Sequence, residues 1–129
     1  MTTSPAIEAL TTSALSAALD AASRRQAAIA ANVANANTEG YVPLRLAFDS
    51  RLAEAQAAWS SGGRLDATHV DAVRGTVEAA LDEGGVPSKV QLDIEMAELA
   101  RNGAQFQALA QALSRHLAML SLAAADGRR

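Results

Sequence analysis

The chain has 129 residues, enough for one domain, with a formal net charge of −3 and no cysteine. Its eleven Lys and Arg are gathered on no single stretch, which disfavours nucleic acid as a partner, and the lack of cysteine excludes disulfides and thiolate chemistry. Half of the residues are hydrophobic, but thirty-two are alanine and four are aromatic, so the composition predicts helices joined by thin seams rather than a thick core.

The first twenty residues have no basic n-region and no continuous apolar stretch, so no Sec-type signal peptide is expected. No run approaches the roughly 20 apolar residues of a membrane span. Ser4 before Pro5 reads as a helix N-cap with proline at the first helical position. From there a helical pattern runs to about Ala36. Leu15, Leu19, Ala22, Gln26, Ile29, Val33 and Ala36 alternate spacings of four and three, a coiled-coil seam with Gln26 as its polar interruption. The helix gives way to an Asn-rich corner, Ile29 to Tyr41. There Asn32 and Asn35 stand where helix propensity would not choose them, Asn37 suits a left-handed C-terminal position, and Gly40 permits positive φ in a tight turn. Two readings of Asn32 and Asn35 compete: capping amides at a helix end, or a hydrogen-bonded register device between subunits.

After the corner, Pro43 biases Val42 to extended backbone. Asp49 or Ser50 can cap a short helix with Leu52, Ala55, Gln56 and Trp59 on one face, and Ser60 to Gly63 ends it. The stretch from Arg64 to Gly85 is fragmented by glycines; the alternation of Val70, Ala72 or Val73, and Val77 fits strand and helix about equally, so loops with at most short elements are expected, a short helix over Thr76–Leu81 being one option. Ser88 and Gln91 match a capping box. The following run is the most regular in the chain: Leu92, Met96, Leu99, Gly103, Phe106, Ala110, Leu113, Leu117 and Leu120 keep the same four–three alternation. Gly103 in mid-seam reads as a place for close backbone approach, and Asp126-Gly127 ends the helix.

The predicted fold is mainly α: two long terminal helices in a coiled-coil-like pair, joined by a loop-rich middle with a short helix and short strands. Its divisions are 1–41 (N-terminal helix and Asn-rich turn), 42–87 (middle segment) and 88–129 (C-terminal helix). No catalytic, metal or cofactor-binding constellation is legible. His69 lies near Asp66 and Asp71 without a second His or Cys, which favours a solvated loop histidine over a metal ligand, and His116 beside the seam reads as a packing or surface residue. Nothing sets a nucleophile elbow or a phosphate loop, so neither an enzyme nor a small-molecule substrate is expected.

The corner also carries a family resemblance. Asn32, Ala34, Asn35, Thr38, Gly40 and Tyr41 match the pattern A-N-N-I-A-N-x-x-T-P-G-Y of the flagellar rod and hook axial proteins. Ala31, Val33 and Glu39 stand where that family has Asn, Ile and Pro. Phe48 with Leu52, Thr68-His69-Val70, the run Val90 to Met96, and Asn102 with Phe106 resemble stretches of the proximal rod proteins within it. The resemblance implies a structural subunit of the bacterial flagellar basal-body proximal rod in the periplasmic space. It implies export through the flagellar type III apparatus without signal cleavage, and terminal helices that order during assembly. The implied partners are other copies of the chain, other flagellar rod proteins, the adaptor between rod and inner-membrane ring, and the export apparatus. A soluble helical adaptor or regulator that closes into a discrete coiled-coil oligomer is the alternative.

Overall fold

The computed structural model describes residues 5–48, 50–63 and 66–128, of which 50–52 and 59 by backbone alone. The expected caps at Ser4 and Asp49 lie outside these residues, as do the side chains of Leu52 and Trp59. The chain is mainly helical, with a long helix at each end packed against the other and a loop-rich middle holding short helices and two short strands. The elements are α1 (Pro5–Ala34), β1 (Leu44–Ala47), α2 (Ser50–Ser60), α3 (Ala67–Ala72), β2 (Thr76–Ala79) and α4 (Leu92–Asp126).

Helix α1 is the spine. It packs on α4, and on β1, α3 and β2. Among the described residues the buried apolar set is Ala17, Ala21, Ala22, Ala28 and Ile29 on α1, with Ala55, Val70 and Ala72 from the middle segment. Six of these eight are alanine, so each contributes on the order of 1 kcal/mol of burial where a leucine would contribute two or three times as much. The small side chains let the elements approach closely, which is the thin-seam packing that the composition predicts.

The end of α1 is built by hydrogen bonds rather than by a left-handed asparagine. The Asn35 N–H donates to Ala31 O (3.1 Å) and the Thr38 N–H to Asn35 O (2.9 Å), winding Asn35–Asn37 into a turn beyond the helix. Ala36, the last position of the expected seam, therefore sits in this turn. Asn37 does not take positive φ; among the described residues only glycines do, and Gly40, at φ 76°, makes the reversal.

Past the corner, β1 pairs antiparallel with β2, Leu44 opposite Ala79 and Arg45 opposite Glu78. The segment Thr76–Ala79 is thus a strand, one of the two conformations its alternation left open. Its partner strand lies far upstream in the sequence, and that pairing fixes its conformation. Gly75 makes the strand's entry possible. Its φ is 65°, and a Cβ there would stand 2.8 Å from Ala47 O and 3.1 Å from the Phe48 ring.

Helix α4 starts later than the expected Ser88 cap. The Ser88 N–H donates to Ala80 O (2.9 Å), which holds the chain extended, and Gln91 takes the N-cap position without a side-chain capping bond. Asp93 and Glu95 in the first turn complement the helix dipole. Gly127 closes the other end, its N–H donating to Ala123 O (3.1 Å). No described helix is long and apolar enough to cross a membrane.

Candidate functional site at the corner and the interhelical face

Asn32 sits in the last turn of α1 with 2 % of its surface exposed. Its Nδ2 donates to Leu44 O (2.9 Å) and lies 3.3 Å from Glu95 Oε2, while its Oδ1 accepts from the Leu44 N–H (2.8 Å) and from the Tyr41 hydroxyl (2.8 Å). Two donors and two acceptor lone pairs are thereby used, which is the full capacity of a primary amide. Leu44 turns its N–H and C=O away from β2, and just past that strand the Ala80 N–H bonds instead to Pro43 O (2.8 Å). The Asn32 amide therefore covers the outer edge of β1 in the manner of a neighbouring strand. One side chain ties together the end of α1, the start of β1, Tyr41 and the first turn of α4.

The remaining motif residues surround this node. Asn35 Nδ2 donates back to Ala31 O (2.9 Å), and Asn35 Oδ1 accepts from the Thr38 hydroxyl (3.2 Å). Gly40 then reverses the chain so that Tyr41 reaches Asn32. Ala34 is exposed on the last turn. Both amides are engaged inside the chain, so an intersubunit hydrogen bond from Asn32 would require the node to open.

Two further polar side chains cross between the long helices. Asn102, 2 % exposed, donates from Nδ2 to Ala22 O (2.9 Å) and to Gln26 Oε1 (2.8 Å). Its Oδ1 is buried without a hydrogen-bond partner among the described residues. His116 Nε2 lies 3.0 Å from Thr12 Oγ1 and 3.4 Å from Glu8 O. Since the Thr12 hydroxyl donates to Glu8 O (3.0 Å), the network assigns the ring proton to Nε2, with Thr12 Oγ1 as its acceptor. The sequence offered Asn102 only as part of a resemblance and His116 only as a neighbour of the seam. Their common signal was the seven-residue spacing that puts Glu95, Asn102 and His116 on one line of α4.

Helix α1 lies over α4 off the centre of the apolar stripe. On α1, Ala22 and Ile29 are buried, and Leu15, Leu19, Gln26 and Val33 are half-buried. On α4, Leu99, Gly103, Ala110, Leu113 and Leu120 are half-buried, whereas Leu92 (50 %), Met96 (49 %), Phe106 (40 %) and Leu117 (47 %) are exposed. Gly103 makes no close contact in this chain: a Cβ there would meet nothing within 4 Å. It opens instead onto a groove of about 470 Å³ lined by Ser23, Gln26, Ala27, Ala30, Gly103, Phe106 and Gln107.

Ion pairs tie the middle segment to α1 and join its two strands. Asp20 pairs with Arg24 (3.3 Å) and Arg74 (3.6 Å), and Arg24 Nη1 donates to Gly75 O (3.0 Å). Arg45 donates from Nε and Nη2 to Glu78 Oε1 across the strands (3.0 and 2.7 Å). These pairs are about half exposed and each stabilises by a few tenths of a kcal/mol to about 1 kcal/mol. Arg25 stacks its guanidinium 5.8 Å from the centre of the Phe48 ring. Asp66 and His69 form a reciprocal cap on α3: Asp66 Oδ1 accepts from the N–H groups of Thr68 and His69, and His69 Nδ1 accepts from the Asp66 N–H. The Thr68 hydroxyl first, and then the His69 N–H, hold the Asp66 carboxyl below its ordinary value. Among the described residues no group of three His, Asp or Glu is placed to hold a metal ion.

Residues 12–41 match the family model described as flagella basal body rod protein. The matched segment begins at Thr12, the partner of His116, and ends at Tyr41, the partner of Asn32, so it spans most of α1 and the whole corner. The match supports a flagellar basal-body rod protein family, whose members are structural. None of the curated proteins searched matches the chain.

Proposed function

We propose, on the premise of this flagellar basal-body rod match, that the chain is a structural subunit of the proximal rod that assembles through its two terminal helices. Residues 1–41 and 88–129 serve as its axial core, and 42–87 as the segment carried on it. Its partners are further copies of itself, other rod proteins and the adaptor that joins the rod to the inner-membrane ring. It reaches the periplasmic space through the flagellar type III apparatus, without cleavage of a signal.

The observation that carries the assembly reading is the exposed apolar line of α4. Met96 and Leu117 are about half exposed at seam positions, with Gly103 between them opening onto a groove. A helix that needed only α1 as partner would have no use for apolar side chains there, since exposed leucine and methionine gain nothing from water. The test is a strain in which Leu117→Asp replaces the native residue. Basal bodies purified from it are expected to lack the rod, and the cells to be non-motile, while the purified variant keeps wild-type helix content. Complete rods in a strain deleted for the gene would refute the reading. A discrete, concentration-independent dimer by light scattering would favour the closed adaptor instead.

A further inference from the structure

A four–three apolar repeat holds two helices together without saying where along their length they should meet. Sliding α4 by seven residues places leucine on leucine again, and an alanine-rich partner offers little shape to resist the slip. The polar contacts between α1 and α4 are distributed so as to remove this degeneracy. On α4 the line facing α1 reads Glu95, Asn102, Leu109, His116, one residue every seven. Opposite them stand Asn32 (3.3 Å from Glu95), Gln26 (2.8 Å from Asn102) and Thr12 (3.0 Å from His116). Stepping seven residues from Gln26 toward Thr12 puts Leu19 at the level of Leu109. The order polar, polar, apolar, polar on one helix is matched by the same order on the other.

We propose that this unevenly spaced ladder is the register code of the helix pair, with Gln26–Asn102 as its central rung. A slip of seven residues in one direction sets Leu109 against Gln26 and His116 against Leu19. In the other direction it sets Asn102 against Leu19 and Leu109 against Thr12. Either seven-residue slip buries polar groups against leucine, which is unfavourable. The rung is not there for stability: Asn102 Oδ1 stays buried and unpartnered, a cost that a leucine would not carry. The register it sets decides which length of α4 lies alongside α1 and how far each helix end overhangs. The inference stands whether or not the chain is a rod subunit, since it concerns the single chain.

The absence of native cysteine makes the test direct. Leu15 and Leu113 lie one turn inward of the Thr12–His116 contact on each helix, so the L15C/L113C pair reports the native register. L15C/L120C reports a seven-residue slip, and in the native alignment those two positions are too far apart to bridge. Oxidised at low concentration and read as intramolecular adducts, the otherwise wild-type chain is expected to give the first product alone. In the Q26L/N102L/H116L background the slipped product should rise at least about tenfold, with the helical far-UV signal intact. Moving both halves of the rung together (L19Q/Q26L with N102L/L109N) should restore the native product, whereas N102L/L109N alone should not. A slipped product that stays at the wild-type level in the triple variant overturns the proposal. Loss of helix in that variant also overturns it, because the rungs would then be holding the pair together rather than aligning it.

Discussion

Tyr41 places its hydroxyl 2.8 Å from the Oδ1 of Asn32, joining two motif residues across the reversal that ends α1. The same oxygen accepts the Leu44 N–H, so one buried amide fixes both the direction in which the chain leaves the helix and the position of the first strand. The tightness of this node makes its energetics predictable.

Asn32→Ala removes the partners of Leu44 N–H, Leu44 O and the Tyr41 hydroxyl together. It is expected to destabilise the monomer by about 2–4 kcal/mol, measured by urea unfolding. Tyr41→Phe removes one bond and should cost about 1 kcal/mol. In the double variant the two effects should fall short of additive by most of the Tyr41 term, because the bond they share can be lost only once.

Three glycines should respond to alanine in three ways. Gly75→Ala combines positive φ with a Cβ 2.8 Å from Ala47 O, and should be the most damaging, by more than about 2 kcal/mol. Gly40→Ala meets open space at φ 76° and should cost only the backbone term, about 1 kcal/mol, and Gly40→Val more, because its β-branch resists that conformation. Gly103→Ala lies in a helix with nothing near and should stabilise the monomer by up to about 1 kcal/mol. If the groove beside it takes another backbone in the assembly, Gly103→Ala should at the same time impair polymerisation; a more stable monomer that assembles normally would show that no close approach occurs there.

Leu113→Asp and Leu117→Asp should separate folding from assembly. Leu113 is half-buried beside α1, so a carboxylate there should loosen the helix pair itself, visible as a lowered thermal midpoint. Leu117, 47 % exposed, should tolerate the change in the monomer and fail only when a neighbour must cover it.

The cap on α3 carries a pH signature. The Asp66 carboxyl is held below its ordinary value of 3.8, chiefly by the Thr68 hydroxyl, so its ionised form is favoured in the folded chain. Its stabilising contribution is therefore fully present above about pH 4 and is lost as pH falls through the lower folded value. The difference in stability between the wild type and Asp66→Ala should be constant near neutrality and shrink on acidification below pH 4. A difference that stayed unchanged at pH 2 would mean that the cap does not depend on the carboxylate charge.

Much of this architecture was legible because helices announce themselves locally. The four–three spacing marked both long helices, and Gly40 marked the reversal. Strand β2 was only half legible: the alternation in that stretch fitted strand and helix equally, and Thr76–Ala79 takes its form from β1, a partner distant in sequence. The Ser88 cap failed for a related reason: its N–H was already committed to Ala80. At the site, the asparagines of the corner stood out as misfits in a helix, yet their partners did not, since nothing local ties Asn32 to Leu44 or to Glu95. Asn102 was hidden by its neighbour Gly103. The apolar stripe suggested that Gly103 faced α1, and the rotation of one residue that puts Asn102 there instead is set by tertiary packing.

The alanine core has a further consequence, in heat capacity. Unfolding this chain exposes little apolar surface for its length, so its heat-capacity change should fall below the usual ~12–15 cal/mol/K per residue. A small heat-capacity change flattens the curve of stability against temperature, so that stability varies little over a wide range. For a subunit proposed to assemble through its terminal helices, a temperature-insensitive well is the useful shape.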